Sequence, residues 1–300
     1  MKRRGPVLAG FAALLAAAAA LPWYGSDYAL AVGLSLLMWT ALTESWALLS
    51  GLSGYVSLGH AVFYGIGAYV MVLCWPTVPL PLAVLLAGLA AGALALVLGW
   101  PCLRVRGPYF VILTFGVAEF VKFVVIAVES ALGRTGRLLF GTPSLAVLFE
   151  AMLVLAALSA ALLHLTRRAR LGRGLLAIRE DETAAEAIGI DATVSKLTVF
   201  ALSAVIPGMV GSLMVLRSTY FEAMQAFSPV TSFTIVTIGI LGGSDDAPGP
   251  LLGAAVLVLL SELLSSAAPE IYMVLLGMIL VGFVLFVPEG LFGRIRSLRR

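Results

Sequence analysis

The sequence predicts an all-α, polytopic integral membrane protein. Three observations lead there. Of 300 residues, 61% are hydrophobic and only 12% are charged, where a soluble domain carries roughly 25% charged residues. Apolar runs long enough to cross a bilayer recur along the whole chain. The basic residues sit in short clusters between those runs. A soluble protein of this size buries only about three-quarters of its surface, so a mean hydropathy of +1.07 excludes an ordinary soluble enzyme. It also excludes a disordered chain, which needs low hydrophobicity and high charge. The 31 glycines show no triplet period and there are two cysteines, which excludes collagen-like and disulfide-scaffold architectures.

A helical span needs about 20 apolar residues to cross about 30 Å. On that rule the chain divides into ten transmembrane helices with approximate limits 7–22, 28–49, 54–74, 80–100, 108–128, 146–165, 196–216, 229–243, 249–265 and 271–287. The first follows MKRR, the layout of a signal peptide, and is read as a retained span. The segment 51–70, which leads into and through the third, is interrupted by glycines at 51, 54, 59, 65 and 67. WPTVPLP at 75–81 separates the third from the fourth, and RVRGP at 104–108 opens the fifth, with Pro108 near helix position N1. The eighth is short and Gly-interrupted, as a broken or re-entrant helix would be, and GGSDDAPGP at 242–250 ends it. Gly88 and Gly92, like Gly239 and Gly243, form GxxxG pairs suited to close helix packing.

Orientation follows from lysine and arginine. Ten spans with both termini cytoplasmic place fifteen of the 19 basic residues inside: Lys2, Arg3, Arg4, Arg104, Arg106, Arg167, Arg168, Arg170, Arg173, Arg179, Lys196, Arg294, Arg296, Arg299 and Arg300. Only Arg134, Arg137 and Arg217 fall outside, and Lys122 lies within a span. Dropping one span reverses every later loop and destroys the bias. Residues 1–300 form one transmembrane domain, interrupted by a cytoplasmic loop at 166–195. That loop is the long hydrophilic segment of the chain. In it Leu175, Leu176, Ile178, Ala185 and Ile188 recur at helical spacing. Asp181 and Thr183 are candidate caps and Gly189 is a stop signal.

Much familiar chemistry is absent from the sequence. None of the three lysines follows a glycine, so there is no GxxxxGK[ST] phosphate loop. HExxH and GxSxG are also missing. His60 and His164 are far apart, and Cys74 and Cys102 have neither CxxC spacing nor a neighbouring histidine, so no metal or catalytic site is expected. Both cysteines read as small apolar fillers. Ionisable groups inside spans are functional candidates by default, namely Glu44, Glu119 and Lys122, with Glu262 near a span end. Glu119 and Lys122 are three apart and share a helix face, either as a structural ion pair or as part of a pathway. Glu44 has no partner nearby in sequence; it either faces a polar cavity or snorkels. In the Gly-rich stretch, Ser53, Ser57, Gly59, His60 and Gly65 either border a translocation path or pack closely, with His60 satisfied. The Thr114 hydroxyl is expected to bond back to its own helix.

Five segments together resemble the permease subunits of branched-chain amino acid ABC importers, of the LivM type. They are GLSGYVSLGHAVFYGIGAY at 51–69, RGPYFVILTFGVAE at 106–119, GRGLLAIREDETAAEAIGID at 172–191, SKLTVFALSAVIPGMVGSL at 195–213 and IGILGGSDDAPGPLLGA at 238–254. The resemblance covers about residues 28–290. It implies a multi-pass transport subunit of the cell inner membrane, not itself an enzyme. The implied partners are a second homologous permease, two cytoplasmic ATPases that use ATP, and a periplasmic solute-binding protein. No cofactor is expected on this chain. The resemblance also makes 172–191 the ATPase coupling region, through Arg173, Ala177, Ile178, Arg179, Glu180, Ala185 and Gly189, with an apolar stripe offered to the partner. The translocation-path candidates, read from the residues themselves, are Ser53, Ser57, Gly59, His60, Gly65 and Thr114.

The chain also departs from the family pattern. Gly51-Leu52-Ser53-Gly54-Tyr55 stands where the family often has Gly-Tyr-Ala-Gly-Gln. The loop 129–143 lacks a double-glycine turn, and Asp245-Asp246-Ala247-Pro248 lengthens another. These departures bear on substrate, since related permeases handle urea, amides or aromatic acids. Two other classes compete. An ion-coupled carrier acting alone needs several midplane acids, and an integral-membrane enzyme needs clustered acids or histidines; the sequence offers neither set.

Overall fold

The computed structural model describes residues 20–22, 24–133, 136–218, 220–243 and 248–267, with isolated positions between 271 and 282. The first and tenth expected spans, Arg134, Asp245–Ala247 and the basic termini fall wholly or largely outside the described residues. Eight of the ten expected spans lie within them, and each is built on a helix. In chain order these are α1 (Asp27–Ser53), α2 (His60–Cys74), α3 (Leu80–Cys102), α4 (Pro108–Ala131), α5 (Leu145–Arg168), α8 (Ala192–Arg217), α10 (Pro229–Gly242) and α11 (Pro248–Ala267). Three short helices, α6 (Arg170–Glu180), α7 (Glu182–Ala187) and α9 (Ala223–Ala226), and two strands, β1 (Arg137–Leu138) and β2 (Tyr220–Phe221), complete the set. Among the described residues, seven helical stretches are long and apolar enough to cross a membrane, with α9 and α10 counted as one; α2 is a shorter apolar helix.

Helix ends follow local chemistry. The Ser26 hydroxyl accepts from the Ala29 amide at the start of α1, and Asp27 sits in its first turn. Gly54 ends α1 in the left-handed region, φ 76°, with its amide bonded to the Ser50 carbonyl, a conformation that favours glycine. Asp181 caps α7 through the Thr183 and Ala184 amides, and Asp191 caps α8 through the Val194 amide. So Asp181 is the cap of the expected pair and Thr183 the residue it caps. Gly189, at φ 89°, follows the end of α7.

Two spans differ from the sequence reading. The third was expected to be helical from 54; instead α2 begins at His60, and residues 54–59 are non-helical. At 15 residues, α2 rises about 22 Å, which leaves the rest of the crossing to that extended segment. The eighth is not broken within its expected limits: α10 is continuous from Pro229 to Gly242, and the interruption falls just before it, where Phe227 and Ser228 separate α9 from α10.

The core is centred on α1 and α8, each 72% buried over its most apolar window. α8 packs against α2 and α3 with almost no spacer. A Cβ on Gly67 would lie 1.8 Å from the Gly208 carbonyl oxygen, and one on Gly211 would lie 2.0 Å from that of Tyr64. Gly88 and Gly92 of α3 receive Met209 and Val205 of α8, so the first GxxxG pair packs helices as small residues do in lipid. Gly239, of the second pair, receives the Trp46 ring. At one end of the bundle α6 and α7 lie across the helix termini. At the other, β1 and β2 pair antiparallel, with Arg137 opposite Phe221.

Candidate functional site

The non-helical segment 54–59 runs back into the bundle beside α1. The Trp46 indole donates to the Ser57 carbonyl at 3.0 Å. Trp46 lies seven residues before the end of α1, or about 10 Å along its axis, so Ser57 sits well inside the helix ends. Backbone without a helical partner must be satisfied by protein at that depth, and it is. The Ser50 hydroxyl donates to the Tyr55 carbonyl at 2.9 Å, and the Leu58 amide donates to Thr114 Oγ1 at 3.2 Å. The Gly59 amide donates to Ser57 Oγ at 3.1 Å, and the Ala61 amide donates to Ser232 Oγ at 2.9 Å. Side chains of α1, α4 and α10 thus hold the break open as a built feature. Thr114 bonds back to the Val111 carbonyl as expected, and it also accepts from the break.

Of the path candidates, Ser57, Gly59 and Thr114 come together. A Cβ on Gly59 would meet Ser57 Oγ and the Thr114 backbone at 3.5 Å. Ser53 caps the end of α1, donating to the Leu49 carbonyl and accepting from the Tyr55 amide. Gly65 lies apart, under the Phe227 ring. His60 is fully buried, and neither ring nitrogen has a partner among the described residues. Close packing with a satisfied His60 is therefore not what the structure shows. Its ring meets Phe63 edge-on, with centroids 5.9 Å apart.

The break meets the hydrophilic loop at a charged junction. Glu182, at the start of α7, accepts from Lys196 Nζ at 2.7 Å and from the Tyr55 hydroxyl at 2.8 Å. Arg106 lies 3.2 Å from the same carboxylate, and Lys196 also donates to the Tyr55 hydroxyl at 3.1 Å. Four segments converge on one carboxylate: the break, the α3–α4 link, α7 and the first turns of α8. Burial pushes the Glu182 carboxyl up, but hydrogen bonds from Lys196 and Tyr55 and the charges of Lys196 and Arg106 outweigh it and hold it below the usual range. Asp181 is held low by the Ala184 amide, then by Thr183. Nearby, the Arg179 guanidinium donates to the Gly51 carbonyl at 2.7 Å. An open cavity of about 690 Å³ lies between these parts, lined by Gly54, Tyr55, Arg106, Pro108, Arg179 and Glu180 among others.

The coupling candidates divide by burial. Arg173, Arg179, Glu180 and Gly189 are exposed. Ile178 and Ala185 are buried in the core of this chain, Leu175 with them, and Ala177 is half-buried. Of the apolar stripe expected to face a partner, Leu175, Ile178 and Ala185 instead seat α6 and α7 on the bundle, Leu176 is half-buried, and Ile188 stays exposed. Glu182, Lys196 and Tyr55 were not singled out from the sequence as site residues. A signal was available in Lys196, one of three lysines in the chain, standing beside the acidic loop.

The intramembrane charges also find partners. Ser159 of α5 donates to Glu44, which is fully buried, so Glu44 neither snorkels nor lacks a partner. Its second oxygen has none among the described residues. Lys122 pairs with Glu119 across one turn of α4. Glu262 accepts from the Tyr28 hydroxyl at 2.6 Å. Cys102 is buried in the core and Cys74 half-buried, both as free thiols.

The family model described as "Branched-chain amino acid transport system / permease component" matches residues 28–284. The chain belongs to this family. The permease is similar to the high-affinity branched-chain amino acid transport system permease proteins LivM of Salmonella typhimurium and of Escherichia coli. Each is 30% identical over 319 aligned positions, covering 93% of this chain and 73% of the relative. No solved structure is significantly similar. The break, the junction and the buried charges are therefore features of a transport permease.

Proposed function

We propose that the permease forms, with a second related permease, an inner-membrane pathway for branched-chain or other hydrophobic amino acids, driven by separate ATPases. In this reading a solute-binding protein delivers the substrate from outside. The chain contributes no nucleotide site, and ATP is used by the partners. Residues 1–300 make one domain of about ten spans with both termini cytoplasmic, and the loop 166–195 faces the ATPases.

The observation that carries the reading is the charged junction. A partner pressing on the exposed Arg173, Glu180 and Gly189 displaces α6 and α7. Ile178 and Ala185 make the two short helices move with the bundle ends. Glu182 passes that displacement to Tyr55, one residue beyond the left-handed Gly54, and Arg179 passes it to the Gly51 carbonyl. The first point lies within the break and the second in the last turn of α1 just before it, and the break is the part of the bundle least bound by its own helical hydrogen bonds. Alternating access needs a bistable element of this kind. Ser57, Gly59, His60 and Thr114 then border the path when the break opens.

The test is ATP-dependent uptake of leucine, isoleucine or valine in proteoliposomes holding the permease with its ATPases, companion permease and binding protein. Urea, amides and aromatic acids serve as competing ligands. Uptake by this chain alone under an ion gradient would overturn the reading. Uptake that persists unchanged with Glu180→Lys and Arg173→Glu combined would remove the ATPase contact from it.

A further inference from the structure

α4 stands apart from the other long helices. Over its most apolar window only 28% of it is buried, the smallest share among the seven. It is held through one side: Phe110 meets Tyr55 edge-on at 5.2 Å, Thr114 takes the break, and Phe115 meets Phe233 at 5.8 Å. The other side presents Ile112, Gly116, Phe120, Phe123 and Ala127 as one exposed stripe at helical spacing.

Exposure alone would suit lipid. Comparison with α3 shows why it does not suffice here. The outward face of α3 carries Leu82, Leu85, Leu89, Leu96 and Val97, all apolar. On α4 the stripe runs alongside Glu119. The Glu119 side chain is 27% exposed, while that of its partner Lys122 is 8% exposed. Glu119 lies eleven residues beyond Pro108, or about 17 Å along the axis, close to half the hydrocarbon thickness of about 30 Å. Lys122 satisfies one side of the carboxylate, and no other group among the described residues meets it. A partly open carboxylate at the bilayer centre is excluded from lipid tails and calls for a hydrogen-bond donor. One turn earlier, a Cβ on Gly116 would meet nothing within 4 Å, so the backbone there is open to a close helix approach.

We infer that the outward face of α4, around Gly116, Glu119 and Phe120, is a helix–helix interface with another membrane protein chain. The partner is a transmembrane helix that brings a hydrogen-bond donor to Glu119 at mid-membrane and closes against Gly116. Its identification as the companion permease rests on the function proposed above; the need for a polar protein cover does not.

The experiment places a photo-activated benzoylphenylalanine at Phe120 and, separately, at Leu89 of α3, in the full transporter in native lipid. The expected result is an adduct between position 120 and the companion permease, with lipid adducts at position 89. Adducts at 120 with lipid alone, or with this chain's own residues 1–19 or 268–300, overturn the inference. Co-purification separates the two levels. If a companion permease is recovered but 120 does not reach it, only the α4 assignment falls. If no companion is recovered under any condition, the functional reading fails too. As a second measure, Gly116→Trp lowers recovery of the companion about tenfold. It leaves the melting temperature of the isolated chain unchanged or raised, because glycine is the poorer helix former. Unchanged recovery refutes the close approach.

Discussion

Replacing Glu182 by Gln tests the junction directly. The substitution keeps the shape and one acceptor but removes the charge that three donors share. Lys196 is the group left exposed to the consequence: its side chain is 3% exposed, and after the change it retains only neutral partners. Breaking a buried ion pair from one side costs about 3–5 kcal/mol. This carboxylate lies on the rim of an open cavity and its Arg106 partner is 60% exposed, so water recovers part of the loss. We expect about 2–3 kcal/mol, with Arg106→Ala costing less than about 1 kcal/mol as exposed pairs do. The assay is a double-mutant cycle of Glu182→Gln and Lys196→Met, read by denaturant unfolding of the purified permease and by ATPase stimulation in the assembled transporter. A coupling of about 1.5–3 kcal/mol is expected. If the single costs add to within about 0.5 kcal/mol, the carboxylate and the lysine do not act as a unit, and the argument for a transmitted displacement is refuted.

Acidification removes the same contribution. The Glu182 carboxyl is depressed in the folded protein, so its stabilisation is fully present above its ordinary value of 4.5 and is lost as pH falls through the lowered one. Unfolding of the wild type should therefore steepen below about pH 4.5, and Glu182→Gln should flatten that dependence. Trp46→Phe leaves the Ser57 carbonyl without its donor inside the bundle and is expected to cost about 1–3 kcal/mol, with transport falling more than expression. Ser159→Ala strips Glu44 of its one partner among the described residues and should destabilise by about 1–3 kcal/mol, measured by melting in detergent. Gly67→Ala forces a methyl to within 1.8 Å of the Gly208 carbonyl; separating α2 from α8 should cost about 1–3 kcal/mol, and an unchanged melting temperature would disprove that contact.

The spans within the described residues were legible because nearly all are apolar runs of bilayer length bounded by proline, glycine or charge, and those are local signals. The hydrophilic loop was legible for the same reason, down to the Asp181 cap and the Gly189 stop. The start of α2 was not. Its glycines announced irregular backbone, yet the register of the break depends on Trp46, Thr114 and Ser232, which come from three other helices. The inward face of α6 and α7 was not legible either. Leu175, Ile178 and Ala185 form an apolar stripe whichever side they serve, and periodicity cannot distinguish a stripe that packs on its own bundle from one kept for a partner. Glu182 escaped notice because its value lies in donors 14, 76 and 127 positions away.

That division bears on how force can pass through the permease. Apolar contacts such as Ile178 against the core resist separation but slide, because burial has no direction. The Glu182 junction is directional, since each of its three donors fixes an angle as well as a distance. A loop held by packing alone would shift over the bundle ends without moving them in a defined way. A loop held by charges alone would be costly to bury and easily pulled free. With both, in the proposed reading, displacement of α6 and α7 has a directional outlet through Tyr55 and the Gly51 carbonyl into the residues on either side of Gly54. There the chain has left the helical ladder, and a modest rotation costs side-chain hydrogen bonds one at a time rather than a cooperative helix. Stiffening that outlet should therefore impair transport without impairing assembly, whereas removing the apolar seat should impair assembly first.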